Sequence, residues 1–417
     1  MKSRVLFTGL LILTWMRTSA AECLLKDGDL VAVIGDSITE QKQYSVFIED
    51  YLLMCQPAER IQVAQFGWGG ETAAGFERRM RNDMLRFKPD LITTCFGMND
   101  GGYAELTKER ADLYRESQQK IINKAKKDNV QRIVLGSPGC VDRDKFRNQK
   151  ASEMYNKTLG ELRDIDRQVA EANGVVFADV HAPMMDAMEK AKAKYGKDYH
   201  VGGGDGVHPD ANGHLVMAYA FLKALGCEGD IGEITVDLDA NKATAKHGHR
   251  VVSCADGKVE LESTRYPFCF YGDPTSTSAT VGMLEFIPFN ENLNRYMLVV
   301  KNAPAEKCKV TWGNSSKEFS SAQLAQGINL AAEFIDNPFR EPFKKVEDAV
   351  RQQQEYETGL IKSVITKLPD FKKLIPEEAE AIDRIGASGL NHDKQLFDVS
   401  AAAVKPVKHS LTIEPVK

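Results

Sequence analysis

Short apolar runs alternate with longer polar segments over the first half of the chain. Five runs have the length and composition of buried strands: Leu30–Ile34, Ile61–Phe66, Asp90–Phe96, Arg132–Gly136 and Val175–Ala178. Apolar residues recur at helical spacing in four of the segments between them: Tyr44–Cys55, Thr72–Phe87, Leu106–Lys127 and Gln149–Asn173. Strands that alternate with helices predict a parallel sheet with helices on both faces. In such folds the functional loops follow the carboxyl ends of the strands.

The pattern changes near residue 230. Short strand candidates separated by turn residues follow at Glu233–Leu238, Arg250–Cys254, Lys258–Glu262, Val281–Ile287, Arg295–Val300 and Lys309–Trp312. They predict a small antiparallel β domain, with Asp256-Gly257 as a hairpin turn. Helical periodicity returns from 322 to about 385, clearest over Phe343–Lys367, and Ser410–Ile413 is a last strand candidate. The chain is therefore expected to divide into 22–228, a β-rich accessory domain over 229–321, and a helical segment with a tail over 322–417.

The first residues have the layout of a secretory signal peptide. Lys2 and Arg4 give a positive start, Val5–Met16 is mostly apolar, and Ser19–Ala21 supplies small residues before the predicted cut. The apolar run is too short for a transmembrane helix, which needs about 20 residues. Residues 1–21 are therefore predicted to be removed, and the mature chain, with no membrane span, to be periplasmic or extracellular. An uncleaved anchor or a buried N-terminal helix is the alternative.

Composition narrows the classes of function. The chain has 417 residues, of which 43% are hydrophobic and 27% charged, as is ordinary for a protein with a buried core. Its formal net charge of −5 gives no reason to expect a nucleic-acid partner. Eight cysteines are too few for a disulfide scaffold, although export would permit bridges. Cys254, Cys269 and Cys308 are the better bridge candidates, whereas Cys95 is predicted to be a buried thiol.

Two histidine motifs are predicted to be structural. Asp179-Val180-His181 follows the fifth predicted strand as an extended segment, with a role at a pocket rim as the alternative. His247 and His249 have no apparent third ligand for a metal ion and are predicted to be solvated turn residues.

Three loops that contain candidate catalytic or ligand-binding residues follow the first three predicted strands. Ser37 comes just after the first strand in a tight turn, where it could present its hydroxyl above the sheet, although a capping serine is the commoner role. Gly67-Trp68-Gly69-Gly70 follows the second strand, and its glycines would let a backbone approach a ligand closely. Asn99 follows the third strand and could donate a side-chain N–H.

A fourth loop carries an aspartate three residues before a histidine, Asp205 and His208. Such an aspartate can accept the imidazole Nδ1–H, fix the tautomer and stabilise the imidazolium, as a hydrolase triad requires. Taken alone, the pair is more commonly a capping turn.

Together the four loops resemble a known family. Gly35-Asp36-Ser37, Gly67-x-x-Gly70-x-Thr72, Gly97-x-Asn99-Asp100 and Asp205-x-x-His208-Pro209 are similar in order and spacing to the four sequence blocks of the SGNH (GDSL-type) hydrolases. The resemblance covers about 29–226. It implies a flavodoxin-like three-layer α/β/α sandwich with a parallel sheet, and serine ester hydrolysis without a metal or organic cofactor.

The resemblance also implies roles for single residues. Ser37 corresponds to the nucleophile, His208 to the general base and Asp205 to the residue that orients it. The oxyanion hole would comprise the N–H groups of Ser37 and Gly70 and the side chain of Asn99.

Other residues of these loops have less specific expectations. Asp36, Trp68, Met98 and Tyr103 are candidates for the substrate pocket, with packing under the loops as the alternative for the last three. Asp100 is expected to fix its own loop. Two residues depart from the family pattern: Ile38 stands where leucine is common, and Gln65 where asparagine is common. The bonding of the second loop is therefore expected to differ.

The predicted function is hydrolysis of carboxylic esters through an acyl-enzyme on Ser37, with removal of short acyl groups, acetyl foremost, from carbohydrate. The partner would be a small-molecule or glycan ester. A lysophospholipase or thioesterase-type acyl hydrolase, and an inactive glycan-binding protein on an esterase fold, are the alternatives. The sequence leaves the oligomeric state open.

Overall fold

The computed structural model describes residues 23–56 and 58–416. The predicted signal peptide lies outside these residues. Within them, no helix combines the length and the apolar character needed to cross a bilayer. The strands are β1 (Leu30–Gly35), β2 (Gln62–Gln65), β3 (Leu91–Cys95), β4 (Arg132–Gly136), β5 (Val176–Ala178), β6 (Asp230–Asp237), β7 (Lys242–Ala245), β8 (His249–Ala255), β9 (Lys258–Ser263), β10 (Arg295–Lys301), β11 (Lys307–Trp312), β12 (Ser315–Ser320), β13 (Ile328–Asn329) and β14 (Val407–Pro415).

The α-helices are α1 (Ser37–Glu40), α2 (Tyr44–Met54), α3 (Ala73–Asp83), α4 (Lys108–Lys127), α5 (Gln149–Asn173), α6 (His181–Tyr195), α7 (Ala211–Ala224), α8 (Phe289–Leu293), α9 (Ser321–Gln326), α10 (Leu330–Glu333), α11 (Arg340–Ser363), α12 (Leu368–Leu374) and α13 (Ala379–Ala403). Short 3-10 turns lie at Leu85–Phe87, Val281–Glu285, Ile365–Lys367 and Pro376–Glu378.

A parallel five-stranded sheet in the order β2-β1-β3-β4-β5 forms the first half of the molecule. All five predicted strands occur, and every residue of β3 is buried. Helices α3, α4 and α5 pack side by side on one face, and α2 packs beside α7 on the other. Because both faces are covered, the strands are continuous apolar runs rather than alternating ones. The predicted flavodoxin-like three-layer fold is confirmed.

Helix α6 replaces a segment that was expected to be extended. The segment Asp179-Val180-His181 is not extended, because His181 begins α6. Asp179 accepts a hydrogen bond from the Ala182 N–H at 3.1 Å and pairs with the Arg163 guanidinium. His181 Nδ1 lies 2.8 Å from the Gly139 carbonyl oxygen. Both side chains therefore support the start of a helix.

Two further sheets, β13-β10-β6-β7 and β12-β11-β14-β9-β8, form the β-rich region. The second is antiparallel as predicted, whereas the first is mixed because β10 runs parallel to β6. Strands β7, β12 and β13 were not predicted, and the strand expected over Val281–Ile287 is wrong, since a 3-10 turn begins there. Asp256 and Gly257 have φ values of 50° and 74°, as a tight hairpin turn requires.

The C-terminal segment packs against both the parallel-sheet half and the β-rich region. Helix α11 packs against α2 and β2, and α13 packs along α11 and continues to Ala403, beyond the predicted limit. Strand β14 then lies between β11 and β9. The tail therefore completes a sheet whose other strands precede residue 321.

Strand β2 is an edge of the parallel sheet, and two carboxylates cover it. The Val63 N–H donates to Glu49 Oε1 at 3.0 Å, and the Gln65 N–H donates to Glu357 Oε2 at 2.8 Å. An uncovered edge would offer these N–H groups to a strand of another chain. Side chains of α2 and α11 thus take the place of a sixth strand.

A chain of hydrogen bonds crosses the interior of the β-rich region. Trp312 Nε1–H donates to His409 Nδ1 at 3.1 Å, and Ser263 Oγ lies 2.9 Å from His409 Nε2 and 2.8 Å from His249 Nδ1. His249 Nε2 lies 3.0 Å from the Ile231 carbonyl oxygen. Because an indole N–H only donates, the direction of every bond follows. His249 is buried, so its prediction as a solvated turn residue is wrong.

The cysteines are unpaired in the described part of the chain, including the bridge candidates Cys254, Cys269 and Cys308. Cys95 is buried, as predicted.

Candidate active site

Four loops meet at the carboxyl edge of the parallel sheet. They follow β1, β2 and β3 and precede α7. Strand β1 lies between β2 and β3, so the connection after β1 goes to one side of it and the connection after β2 returns to the other side. Crevices at such a switch point are the usual ligand sites of open α/β sheets. The strand order thus brings the predicted loops together.

Ser37 occupies the first position of α1, immediately after β1. The buried Asp36 carboxylate accepts the Ile38 N–H at 2.9 Å, which caps this short helix and fixes the turn. Ser37 Oγ lies 2.8 Å from His208 Nε2. His208 Nδ1 lies 2.6 Å from Asp205 Oδ2. The three residues therefore form one continuous hydrogen-bonded row.

The loop from Asp205 to His208 is held by its own backbone. Asp205 Oδ1 accepts the N–H groups of Val207 and His208, each at 2.8 Å. Partial burial works to raise the pKa of Asp205, but these N–H groups and the imidazole outweigh it and hold the pKa below its usual value. An ionised Asp205 only accepts, so His208 Nδ1 carries the proton and Nε2 is free to accept the Ser37 hydroxyl proton.

Gly203 makes this loop possible. Its φ is +100°, and a Cβ there would lie 1.9 Å from the His208 carbonyl oxygen. A side chain at this position would therefore push His208 away from Ser37.

Three loops of the site also carry hydrogen-bond donors. The backbone N–H groups of Ser37 and Gly70 have no acceptor among the described residues. Asn99 Nδ2–H donates to the Glu71 carbonyl oxygen at 2.9 Å, while the Tyr103 hydroxyl donates to Asn99 Oδ1 at 3.1 Å. These two bonds fix which end of the amide carries the nitrogen, and one Nδ2–H remains for another acceptor.

Two further carboxyl groups lie beneath the loops. Asp100 accepts the N–H groups of Gly97 and Ala73, both at 3.0 Å, so it joins the third loop to α3. Burial raises the pKa of Asp100 to about 6 and that of Asp36 to about 7. Their positions suit loop fixation rather than contact with a ligand.

The pocket candidates divide into two pairs. Asp36 and Met98 are each only 2% exposed and lie under the loops. Trp68 and Tyr103 are partly exposed at the rim. Two cations, Arg79 from α3 and Lys362 from α11, lie 4.8 Å from the centroid of the Trp68 ring. The sequence did not indicate that Lys362 lies beside Trp68, because Lys362 belongs to a helix that is distant from Trp68 along the chain.

Residues 33–216, which include every residue of the hydrogen-bonded row, match the GDSL-like lipase/acylhydrolase family. This segment is a GDSL-like lipase/acylhydrolase domain. The resemblance seen in the sequence is therefore confirmed, and so is the enzyme class, a carboxylic ester hydrolase.

Known proteins resemble the GDSL-like domain or the whole chain. An acetylxylan esterase of Geobacillus stearothermophilus is 24% identical over 222 residues, which cover 48% of this chain and 95% of that esterase. A gut microbial diltiazem-metabolizing enzyme is 22% identical and superposes with a TM-score of 0.71 over 94% of this chain and 98% of its own. The latter therefore shares the arrangement that joins the GDSL-like domain to the β-rich and helical parts.

Proposed function

We propose that this ester hydrolase uses Ser37 as its nucleophile, His208 as its general base and Asp205 as the residue that orients the base. The observation that carries the proposal is the row Asp205–His208–Ser37, with 2.6 and 2.8 Å between the bonded atoms. A nucleophile bonded to a base that is itself oriented by a third group is the arrangement that serine hydrolysis requires.

The reaction then follows from this geometry. His208 Nε2 takes the Ser37 proton as Oγ attacks the ester carbonyl, and the carbonyl oxygen becomes an oxyanion. The N–H groups of Ser37 and Gly70 and the Asn99 side chain donate to it, and one such donor is worth about 2.7–4 kcal/mol in the transition state.

The collapse of this intermediate divides the ester. The imidazolium of His208 returns its proton to the leaving alcohol, and the acyl group remains on Ser37. Water then attacks the acyl-enzyme with His208 again as the base, which releases the carboxylic acid.

The proposed substrate is a short acyl ester, foremost an acetyl group, on a carbohydrate outside the cytoplasm. The side chains of His208 and Asp205 are 34% and 57% exposed, so the row opens directly to solvent and leaves room for a bulky alcohol. The similarity to an acetylxylan esterase supports the same substrate class.

One assay with two substrates tests both the proposed nucleophile and the proposed substrate class. Acetate release from acetylated xylooligosaccharides is measured beside fatty-acid release from a lysophospholipid, with wild type, Ser37→Ala and the exposed control Ser316→Ala. We expect fast acetate release by wild type and the control and none by Ser37→Ala. Preference for the lipid would contradict the substrate, and equal rates for wild type and Ser37→Ala would contradict the nucleophile and favour a binding protein.

A further inference from the structure

Helix α11 approaches the loop Gly67–Gly70 from outside the GDSL-like domain. Thr358 and Lys362 are four residues apart on α11 and so lie on the same side of the helix. Each of them contacts one side chain, and that side chain accepts a hydrogen bond from a backbone N–H of this loop. The two connections end at Gly67 and Gly69.

The first connection runs through Gln65. Gln65 Nε2–H donates to Thr358 Oγ1, and Gln65 Oε1 accepts the Gly67 N–H at 2.9 Å. The Thr358 hydroxyl donates its own proton to the Gln354 carbonyl oxygen at 3.1 Å. Gln65 stands where asparagine is common in the family, and its extra methylene lets one amide bond both the loop and α11.

The second connection runs through Glu40. Lys362 Nζ pairs with Glu40 Oε1, and Glu40 Oε2 accepts the Gly69 N–H at 2.5 Å. The Lys362 and Glu40 side chains are 32% and 24% exposed, so the pair is largely shielded from water. Lys362 Nζ also lies over the Trp68 ring, within the same loop.

The loop itself has little freedom between these points. A Cβ at Gly67 would lie 2.2 Å from the Glu40 backbone nitrogen, so the loop lies directly on α1. Gly70 follows with a φ of +74° and an N–H without an acceptor among the described residues. The direction of that N–H therefore depends on where Gly67 and Gly69 are held.

We propose that Thr358 and Lys362 are positioning residues for ester hydrolysis, which hold the loop so that the Gly70 N–H faces the developing oxyanion. The inference rests on the proposed function, in which Gly70 is an oxyanion donor. Since the oxyanion forms only in the transition state, loss of this support lowers kcat and leaves KM almost unchanged.

Near-isosteric variants test the two connections. Lys362→Met removes the charge but keeps the apolar stem, and Thr358→Val removes the hydroxyl but keeps the shape. We expect kcat for p-nitrophenyl acetate to fall about tenfold in each, with KM within about twofold, because small displacements of catalytic donors cost large factors in rate. Lys362→Arg and Thr358→Ser, which keep the bonding groups, recover most of the rate.

A matched control comes from the same helix. Lys344 forms an exposed pair with Asp348 at 3.0 Å, and Lys344→Met is expected to leave kcat unchanged. The pH dependence of kcat/KM is a second readout. Its apparent pKa stays constant in Lys362→Met, because the Asp205–His208 loop is not touched, whereas general distortion of the site would move it.

The outcomes separate this inference from the proposed function. Wild-type kcat in both Lys362→Met and Thr358→Val, with Ser37→Ala inactive, overturns the positioning role and keeps the nucleophile. A raised KM at constant kcat also overturns it, since α11 would then contact substrate. A loss in Lys344→Met equal to that in Lys362→Met identifies a merely structural helix. Activity that survives in Ser37→Ala refutes the proposed function instead.

Discussion

Two loops border the segment that begins with Ser37: Asp205–His208 bonds its hydroxyl, and Gly67–Gly70 lies on α1, and they are held in different ways. Within the loop Asp205–His208, the Asp205 carboxylate bonds two backbone N–H groups and the imidazole of the same four residues, and one bond from outside, Asp142 N–H to the Gly206 carbonyl oxygen at 2.9 Å, joins the loop to the segment after β4. The loop Gly67–Gly70 is bonded by side chains that are themselves held by α11, from the distant C-terminal half. The contacts that align the proposed base with its aspartate are therefore encoded within four residues, whereas the support of the proposed oxyanion side comes from the distant helix α11.

The largest expected effect comes from breaking the local loop. His208→Ala removes the proposed base, and we expect kcat to fall by about 10⁴-fold or more. Thermal stability should stay near the wild-type value, because the His208 backbone bond to Asp205 is kept. Hydrolysis of p-nitrophenyl acetate measures the effect, with the exposed His247→Ala as the control. Activity within tenfold of wild type would contradict the role of His208.

A smaller loss is expected for a change in the proposed oxyanion hole. Asn99→Ala removes one proposed donor but leaves two backbone N–H groups, so kcat should fall about 10²–10³-fold. The measurement is kcat and KM for the same ester. Asn292→Ala, which breaks an asparagine–tyrosine bond elsewhere, serves as the control. A change confined to KM would show that Asn99 contacts the ground-state substrate rather than the oxyanion.

The two carboxyl groups that cover the β2 edge, Glu49 and Glu357, should stabilise the fold less at alkaline pH. Burial raises the pKa of Glu49 to about 8 and that of Glu357 well above its usual value. A carboxyl group with a raised pKa in the folded state stabilises fully below its unfolded pKa, and the stabilisation is lost as the pH rises through the folded pKa. We expect the free energy of unfolding to fall by at least about 3 kcal/mol between about pH 6 and pH 9.

Urea unfolding across this pH range measures the effect. In Glu49→Gln, which imitates the protonated group, the free energy of unfolding should depend less on pH. The loop Asp205–His208 depends on pH in the opposite sense. The pKa of Asp205 is lowered, so its contribution is present at neutral pH and is lost only as the pH falls through that lowered value. Stability that stays constant up to about pH 9 in wild type would show that the β2 edge does not titrate.

The smallest expected effect concerns the orientation of Asn99. Tyr103→Phe removes the hydroxyl that donates to Asn99 Oδ1, a bond worth about 1 kcal/mol, so kcat should fall about fivefold. Tyr219→Phe removes a tyrosine bond to Asn292 and is the matched control. Equal rates in the two variants would show that the bond to Glu71 alone orients the amide.

The difference between locally bonded and distantly supported parts of the site also explains how much of the structure the sequence predicts. The parallel strands are read from continuous apolar runs, and β4 begins and ends at its predicted residues. The spacing of Asp205 and His208 permits their contact, but only the resemblance over all four loops favoured a triad over a capping turn. The rule that loops meet at the carboxyl edge of a parallel sheet indicated the loops that carry Ser37, Gly70 and Asn99, whereas the role of each residue came from the resemblance to the SGNH hydrolases.

Residues whose roles depend on packing are invisible to such arguments. The periodicity of α11 predicts a helix, but it does not say what Thr358 or Lys362 contacts. Only the departure at Gln65 indicated that the second loop is bonded differently. Likewise, Val281–Ile287 has strand-like composition, yet Gly282 lies against the Pro274 carbonyl oxygen, and the segment turns there instead of extending.

The place of β14 has a consequence for the order in which the molecule can be assembled during synthesis. Its neighbours β9 and β11 belong to separate hairpins, β8–β9 and β11–β12, that leave the ribosome first. Neither hairpin can join the other until residues 407–415 have been translated, which happens only after α11, α12 and α13. His409 arrives with this strand and closes the hydrogen bonds to Ser263 and Trp312. The helices that support the second loop are thus already available when the last sheet forms.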